Sequence, residues 1–298
     1  MVKRLISCSA SDVEKMNREE LLQSIKASSG RVILAENDVI IPPFSNNITN
    51  SEVVCGFGAD LVLLNCLDLN ELRIIGLENE ISPISKLKEL TGKPIGLNLE
   101  PIDLTADLDS ELIGISDGRV ASEKNLKKAQ ELGFDFICLT GNPGTGVTNK
   151  EISLSIKKAR KIFSGIIIAG KMHSAGVSEK IIDKETIETF ANSGADIILV
   201  PVAGTVPGFS KEEMATAIQN IQRLGKLAMS TIGTTQEGAD VDTIRTLALT
   251  SKIAGADIQH IGDAGFNGTA DPENIMALSI AIRGKRHTYF RMCQSINR

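Results

Sequence analysis

The 298-residue sequence predicts an α/β fold, a (β/α)8 barrel with an extra N-terminal helix, on three observations. Eight short runs of β-forming residues alternate with eight helical segments. A phrase of Gly, then Ala or Phe, then Asp, leading at once into an apolar run, occurs four times. Polar residues collect just after all eight apolar runs. The first two observations set the architecture. The third says which face works, because such barrels carry function at the C-terminal ends of their strands.

The phrase stands at Gly58-Ala59-Asp60, Gly133-Phe134-Asp135, Gly194-Ala195-Asp196 and Gly255-Ala256-Asp257. Glycine after a helix supplies the left-handed closing residue, and the apolar run suits a strand buried on both faces of a parallel sheet. These joints place strands at 61–64, 136–139, 197–200 and 258–261; the other four are expected at 32–36, 93–99, 165–169 and 226–231. Helices are expected at 50–57, 82–90, 122–132, 149–163, 183–193, 211–224, 241–254 and 272–283. Several begin at Ser, Asn or Asp caps, and Asp271-Pro272 pairs a cap with a first-turn proline. Residues 9–28 read as one amphipathic helix, capped by Ser11 or Asp12, with Val13, Met16, Leu21, Leu22 and Ile25 turned to the bottom of the barrel. The stretch 100–121 is long for a loop and reads as a lid. Residues 284–298 read as a tail, either solvated or an arm for a homo-oligomer. The chain is thus expected to be one domain, 1–298, with residues 1–30 as a cap.

Composition narrows the partners. A net charge of −5 gives no global field for nucleic acid or an acidic membrane surface, so an anion must be bound locally. The N-terminus lacks the apolar run of a signal peptide and no stretch approaches a membrane span, which predicts a cytoplasmic protein with no membrane partner. Cys8, Cys55, Cys66, Cys138 and Cys293 are scattered, with no CxxC pair, and read as reduced thiols. Trp is absent and Tyr289 is the one tyrosine, so stacking platforms for bases or sugars are scarce.

Two glycine-containing turns follow the seventh and eighth strands: Thr231-Ile232-Gly233-Thr234-Thr235 and Gly262-Asp263-Ala264-Gly265-Phe266-Asn267-Gly268. Their placement resembles the phosphate-binding (β/α)8 TIM-barrel superfamily, whose phosphate rests on these two loops and a short helix N-terminus. The resemblance implies Gly233 and Thr234 on one side of a phosphate and Gly262, Gly265 and Gly268 on the other. Asp263 departs from it, since a carboxylate repels phosphate unless it turns away or holds a metal. A second glycine-rich loop, 141–146, lacks the Gly-Lys-Ser/Thr ending of a P-loop; it reads as an anion cradle at a helix start or as a flexible loop.

Lys171 and His173 are two residues apart after the fifth strand, where alternation sends both into the barrel mouth. The lysine suits a Schiff base or a carboxylate, the histidine proton transfer. Glu36 with Asp38, and Asn98 with Glu100, share the same spacing on neighbouring strands. Such oxygen ligands suit Mg or Mn, which Glu36, Asp38, Glu100 and Asp263 would hold; they equally suit substrate hydroxyls or a general base. The catalytic candidates are Lys171, His173, Glu36 and Glu100. Asn65, Asn98, Asn142 and His260 are candidates for substrate binding, with His260 also readable as a core or rim histidine. The expected function is a lyase, isomerase or mutase acting on a small phosphorylated or otherwise anionic metabolite. The chain is also similar to uncharacterised bacterial barrels labelled phosphonomutase-like, although it lacks the acidic metal cluster and cysteine-bearing loop of phosphoenolpyruvate mutases. The other reading is a non-catalytic sensor resembling the glycerol-uptake antiterminators.

Overall fold

In the computed structural model, which describes residues 2–109 and 111–298 apart from the side chain of Phe266, eight parallel strands close in sequence order into a barrel. Met1 and Ser110, the latter within the expected lid, lie outside the described residues. The strands are β1 (Val32–Asp38), β2 (Leu61–Asn65), β3 (Ile95–Leu99), β4 (Phe136–Leu139), β5 (Ile166–Ala169), β6 (Ile197–Pro201), β7 (Leu227–Ile232) and β8 (Ile258–Ile261). β8 pairs back on β1, Ile258 against Val32 and Ile261 against Ala35. Around them run α3 (Asn50–Gly56), α4 (Pro83–Thr91), α5 (Glu123–Glu131), α6 (Asn149–Ile162), α7 (Lys184–Ser193), α8 (Lys211–Arg223), α9 (Val241–Ala254) and α10 (Pro272–Cys293). Side chains of Thr49, Ser122, Thr148, Asp183, Ser210 and Asp240 cap the backbone at the starts of α3 and α5 to α9.

The aspartate of the repeated phrase does the same work four times. Asp60, Asp135, Asp196 and Asp257 each accept an amide hydrogen from the preceding strand, at Ile33, Ile95, Ile167 and Ala228, over 2.8–2.9 Å. Each donates its own N–H to the carbonyl of that same residue. The phrase therefore closes a helix and staples the foot of each even-numbered strand to the odd-numbered one before it.

Alternation divides each strand between two cores. Val32 and Leu34, Leu61 and Leu63, Phe136 and Cys138, Ile166 and Ile168, and Ile197 and Leu199 fill the barrel interior, together with Leu5, Ile6, Leu21 and Ile25 from the N-terminal segment. The intervening Ile33, Val62, Leu97, Ile137 and Ile198 face the helices. On β3 the interior position is Gly96, where a Cβ would sit 2.0 Å from the Phe136 ring; one phenyl group fills the space of both residues.

Two expectations are corrected. The N-terminal plug is not one helix but a 3-10 turn at Leu5–Ser7 followed by α1 (Ala10–Glu14) and α2 (Arg18–Ala27). Ser9 and Asn17 cap them, with Asp12 and Glu20 completing capping boxes, so neither Ser11 nor Asp12 is the cap. The expected tail is instead helical to Cys293, kinked at Gly284 (φ 72°), and it is buried where it matters. Arg283 and Arg291, both with side chains shut off from solvent, converge on the fully buried Asp60 at 2.6 and 2.7 Å. That takes Arg283 and, from the expected tail, Arg291 away from any nucleic-acid surface. No helix among the described residues is long and apolar enough to cross a membrane.

Candidate active site

The interior register that starts apolar at the foot of the barrel ends polar at its mouth. Continuing by twos from the buried pairs reaches Glu36 on β1, Asn65 on β2, Asn98 on β3, Thr140 after β4 and Thr231 on β7, and from Ile258 it reaches His260 on β8. Above this layer lies a cavity of about 820 Å³. Glu36, Asp38, Asn65, Asn98, Asn142 and His173 line it, together with Gly233, Thr234, Gly262, Asp263 and Gly265 from the two glycine turns.

Glu36 is 4% exposed and lines the cavity from β1. Its Oε1 accepts from the Asn98 amide and its Oε2 faces His260 Nε2 at 3.2 Å. Burial pushes the Glu36 carboxyl above its usual range; the His260 contact opposes that rise and the Asp263 charge adds to it. The network runs on by amides. Asn98 donates to Asn65 Oδ1 at 3.2 Å, and Asn65 donates to Asn142 at 3.0 Å and to Asp263 Oδ2 at 2.8 Å. Asn142 reaches Glu100 through both its side chain and its main-chain N–H at 2.9 Å. Arg119 completes the chain on Glu100 at 2.6 Å.

His173, which lines the same cavity as Glu36, has a different character. The Ala175 amide donates to its Nδ1 at 3.0 Å, which fixes the ring as the tautomer carrying hydrogen on Nε2. Burial, with the Lys171 charge behind it, lowers its pKa to about 4, so the imidazole is neutral at pH 7 and serves as a hydrogen-bond donor.

The remaining candidates separate. The chain leaves β5 at Ala169 and turns at Gly170 (φ 141°), so strand alternation does not extend to Lys171. That side chain is 1% exposed and its ammonium sits on Glu179, a latch between the β5 loop and Val147 of the β4 loop instead of a lining group of the mouth. Glu100 is likewise an anchor. Together with hydrogen bonds from Asp103, Asp109 and Ile113 to the carbonyls of Gly146, Gly176 and Gly144, it stitches the 100–121 segment over the β4 and β5 loops. The described residues of the expected lid are thus hydrogen-bonded to the loops on that side of the mouth.

The glycine turns keep less of an anion cradle than the resemblance implied. The Gly262 amide donates to the Ile232 carbonyl, that of Gly268 to Gly265, and that of Gly265 to Asp263 Oδ1 at 2.9 Å. Asp263 thus lies where an anion on that turn would, which answers the departure noted in the sequence. Gly268 packs against Asn50 and Ile41, outside the cavity. The Thr234 hydroxyl donates to main-chain carbonyls. The main-chain amides of Gly233 and Thr234 have no acceptor among the described residues.

The carboxylates expected to hold Mg or Mn each engage protein groups in this structure. Among the described residues no three His, Cys, Asp or Glu side chains are placed to hold one metal ion. Glu36 is held by Asn98 and His260, Glu100 by Arg119 and Asn142, Asp263 by Asn65 and Gly265, and Asp38 by the Ile40 amide at 2.9 Å. Glu237, which sequence reasoning missed, also lines the cavity; it is 7% exposed, and burial raises its carboxyl above the usual range, with the charges of Asp263 and Glu36 adding to the rise. It stands on a 3-10 turn, Gln236–Gly238, where no strand periodicity marks it.

A family model described as "Domain of unknown function (DUF7916)" matches residues 6–298. No curated protein matches the sequence. Among solved structures, the chain is similar to an archaeal fructose 1,6-bisphosphate aldolase, with 15% identity and a TM-score of 0.54 over 89% of this chain and 99% of that one. It is also similar to 2,3-dimethylmalate lyase, a member of the PEP mutase/isocitrate lyase superfamily, with 12% identity and a TM-score of 0.52 over 85% and 81%. At such identities the likeness is one of fold, the (β/α)8 barrel.

Proposed function

We propose that this chain, which belongs to the family described as domain of unknown function DUF7916, is an enzyme of lyase, isomerase or mutase type whose substrate sits in the barrel mouth. The observation that carries the reading is the pairing of a buried carboxyl, Glu36, with a neutral histidine donor, His173, on one cavity. A carboxyl whose pKa burial raises is a stronger base than a free one, and His260 and Asn98 orient it. A neutral imidazole N–H hydrogen-bonds a substrate carbonyl and stabilises the oxyanion that forms as the adjacent C–H proton moves to Glu36. Proton abstraction beside a carbonyl is one step by which lyases and isomerases act on small metabolites. Asn65 and Asn142 bind the substrate's polar groups from the neighbouring strands. A phosphate or carboxylate on the substrate has the Gly233 and Thr234 amides to rest on, and the carboxylates around the mouth limit it to one such group.

Incubating the protein in D2O with small aldehydes, ketones and 2-oxo acids, and reading deuterium uptake beside the carbonyl by NMR, tests the reading. Catalysed uptake that His173→Ala weakens supports it; no uptake from any compound that the protein binds refutes it.

A further inference from the structure

The cavity holds a second regularity that the acid–base reading does not use. Four carboxylates line it, Glu36, Asp38, Glu237 and Asp263, and no lysine or arginine does among the described residues. Two cations of the neighbouring loops serve other partners, Arg119 on Glu100 and Lys171 on Glu179. Independently, three oxygens on lining residues are buried without a hydrogen-bond partner among the described residues: Glu237 Oε2, Asn98 Oδ1 and Thr140 Oγ1. They come from three separate elements, the β7 loop, β3 and the end of β4, and their residues are 7%, 5% and 1% exposed. Buried acceptors left without donors are rare in folded proteins and mark a missing partner.

We propose that the ligand of this mouth carries a primary ammonium group, seated between the Glu237 and Asp263 carboxylates; the proposal rests on the reading of the mouth as the substrate site. An ammonium brings three donors and no acceptor, which suits the unpaired Glu237 oxygen beside a second carboxylate. It also brings the positive charge that the mutually repelling carboxylates lack, and its hydrogen bonds to them are charge-assisted. A neutral polyol would supply the donors without the charge. A phosphate would add charge of the wrong sign.

The test uses the full chain in thermal-shift and calorimetric titrations at neutral pH, with ethanolamine and glucosamine as amines. Ethylene glycol and glucose serve as their uncharged counterparts, and glucose 6-phosphate and inorganic phosphate as anions. The amines are expected to bind saturably, roughly tenfold more tightly than their hydroxyl counterparts. Glu237→Gln, which keeps the shape and removes the charge, is expected to abolish that preference while retaining the wild-type unfolding temperature within a few degrees. If Glu237→Gln unfolds, Asp263→Asn carries the same comparison. Amines that fail to bind at millimolar concentration overturn the proposal, as does an unchanged amine preference in the folded variant or stabilisation by the phosphates alone. Amine binding without deuterium exchange from any carbonyl compound refutes the enzyme reading and leaves this one. Exchange from an amine-free compound that binds as tightly as its amino counterpart does the reverse.

Discussion

Asp60 offers the sharpest prediction about what holds the barrel closed. Its carboxylate is fully buried and is shared by Arg283, Arg291 and the Ile33 amide. Asp60→Asn keeps the acceptor for Ile33 and removes the charge, leaving two buried guanidinium groups without a counter-ion. Breaking a buried ion pair in this way costs about 3–5 kcal/mol, a large part of the ~5–15 kcal/mol that holds a typical domain together. For a chain of this size that corresponds to a fall of roughly 6–20 °C in Tm, at about 2–4 °C per kcal/mol. Asp135→Asn is the internal control. Asp135 performs the same backbone duty for Ile95, but its Lys88 partner is 33% exposed, so the ion pair contributes at most about 1 kcal/mol. The acid limb reports the same charge: burial raises the Asp60 carboxyl, but Arg283 and Arg291 outweigh it and hold the group below its usual value. Its contribution is therefore complete above the unfolded pKa of about 3.9 and lost as pH falls through the lower folded value. Urea denaturation across pH, alongside calorimetry, measures both. Equal losses in the two variants would refute the claim that the buried arginine pair, and not the backbone staple, makes Asp60 special.

Three further outcomes follow from the same geometry. Gly96→Ala places a methyl 2.0 Å from the Phe136 ring and is expected to destabilise by at least about 1–3 kcal/mol in urea melts, with Phe136→Leu recovering much of the loss in the double variant. His173, its pKa lowered to about 4, is expected to show no ring titration by NMR between roughly pH 5.5 and 8. Because the unfolded ring takes its proton first, the histidine's contribution to stability falls as pH drops from about 6.5 towards 4. A midpoint near 6.5 in the folded protein would show that the ring is not desolvated. Lys171→Met is expected to speed proteolysis in the segment 170–183 while leaving deuterium exchange within a few-fold of wild type, and loss of exchange would restore a direct role for the lysine.

The barrel was legible because its cues are local and repeated. Gly-Ala-Asp and Gly-Phe-Asp joints announce a helix end and a strand start within three residues, although the reason for the aspartate, an amide on another strand, appears only in three dimensions. Glu36, Asn65, Asn98 and Asp263 were legible as polar residues at strand ends, and counting by twos from Val32 and Leu34 leads directly to Glu36. The same counting misled at Lys171, because the strand ends at Ala169 as expected and the turn at Gly170 stops the alternation from carrying past it. The C-terminal region misled for another reason: Arg283, at the end of the expected helix, and Arg291, in the expected tail, look like solvated charges until Asp60, more than 220 positions away, meets them. Glu237 carried no signal at all, since an irregular turn has no period to read.

The central claim is that Glu36 moves the proton. Its most direct test is the rate of deuterium uptake into a bound carbonyl compound by Glu36→Gln against wild type. Gln keeps the shape between Asn98 and His260 and cannot accept the proton. The account predicts a loss of at least about 100-fold with ligand binding retained. Uptake at the wild-type rate in the folded variant would contradict it.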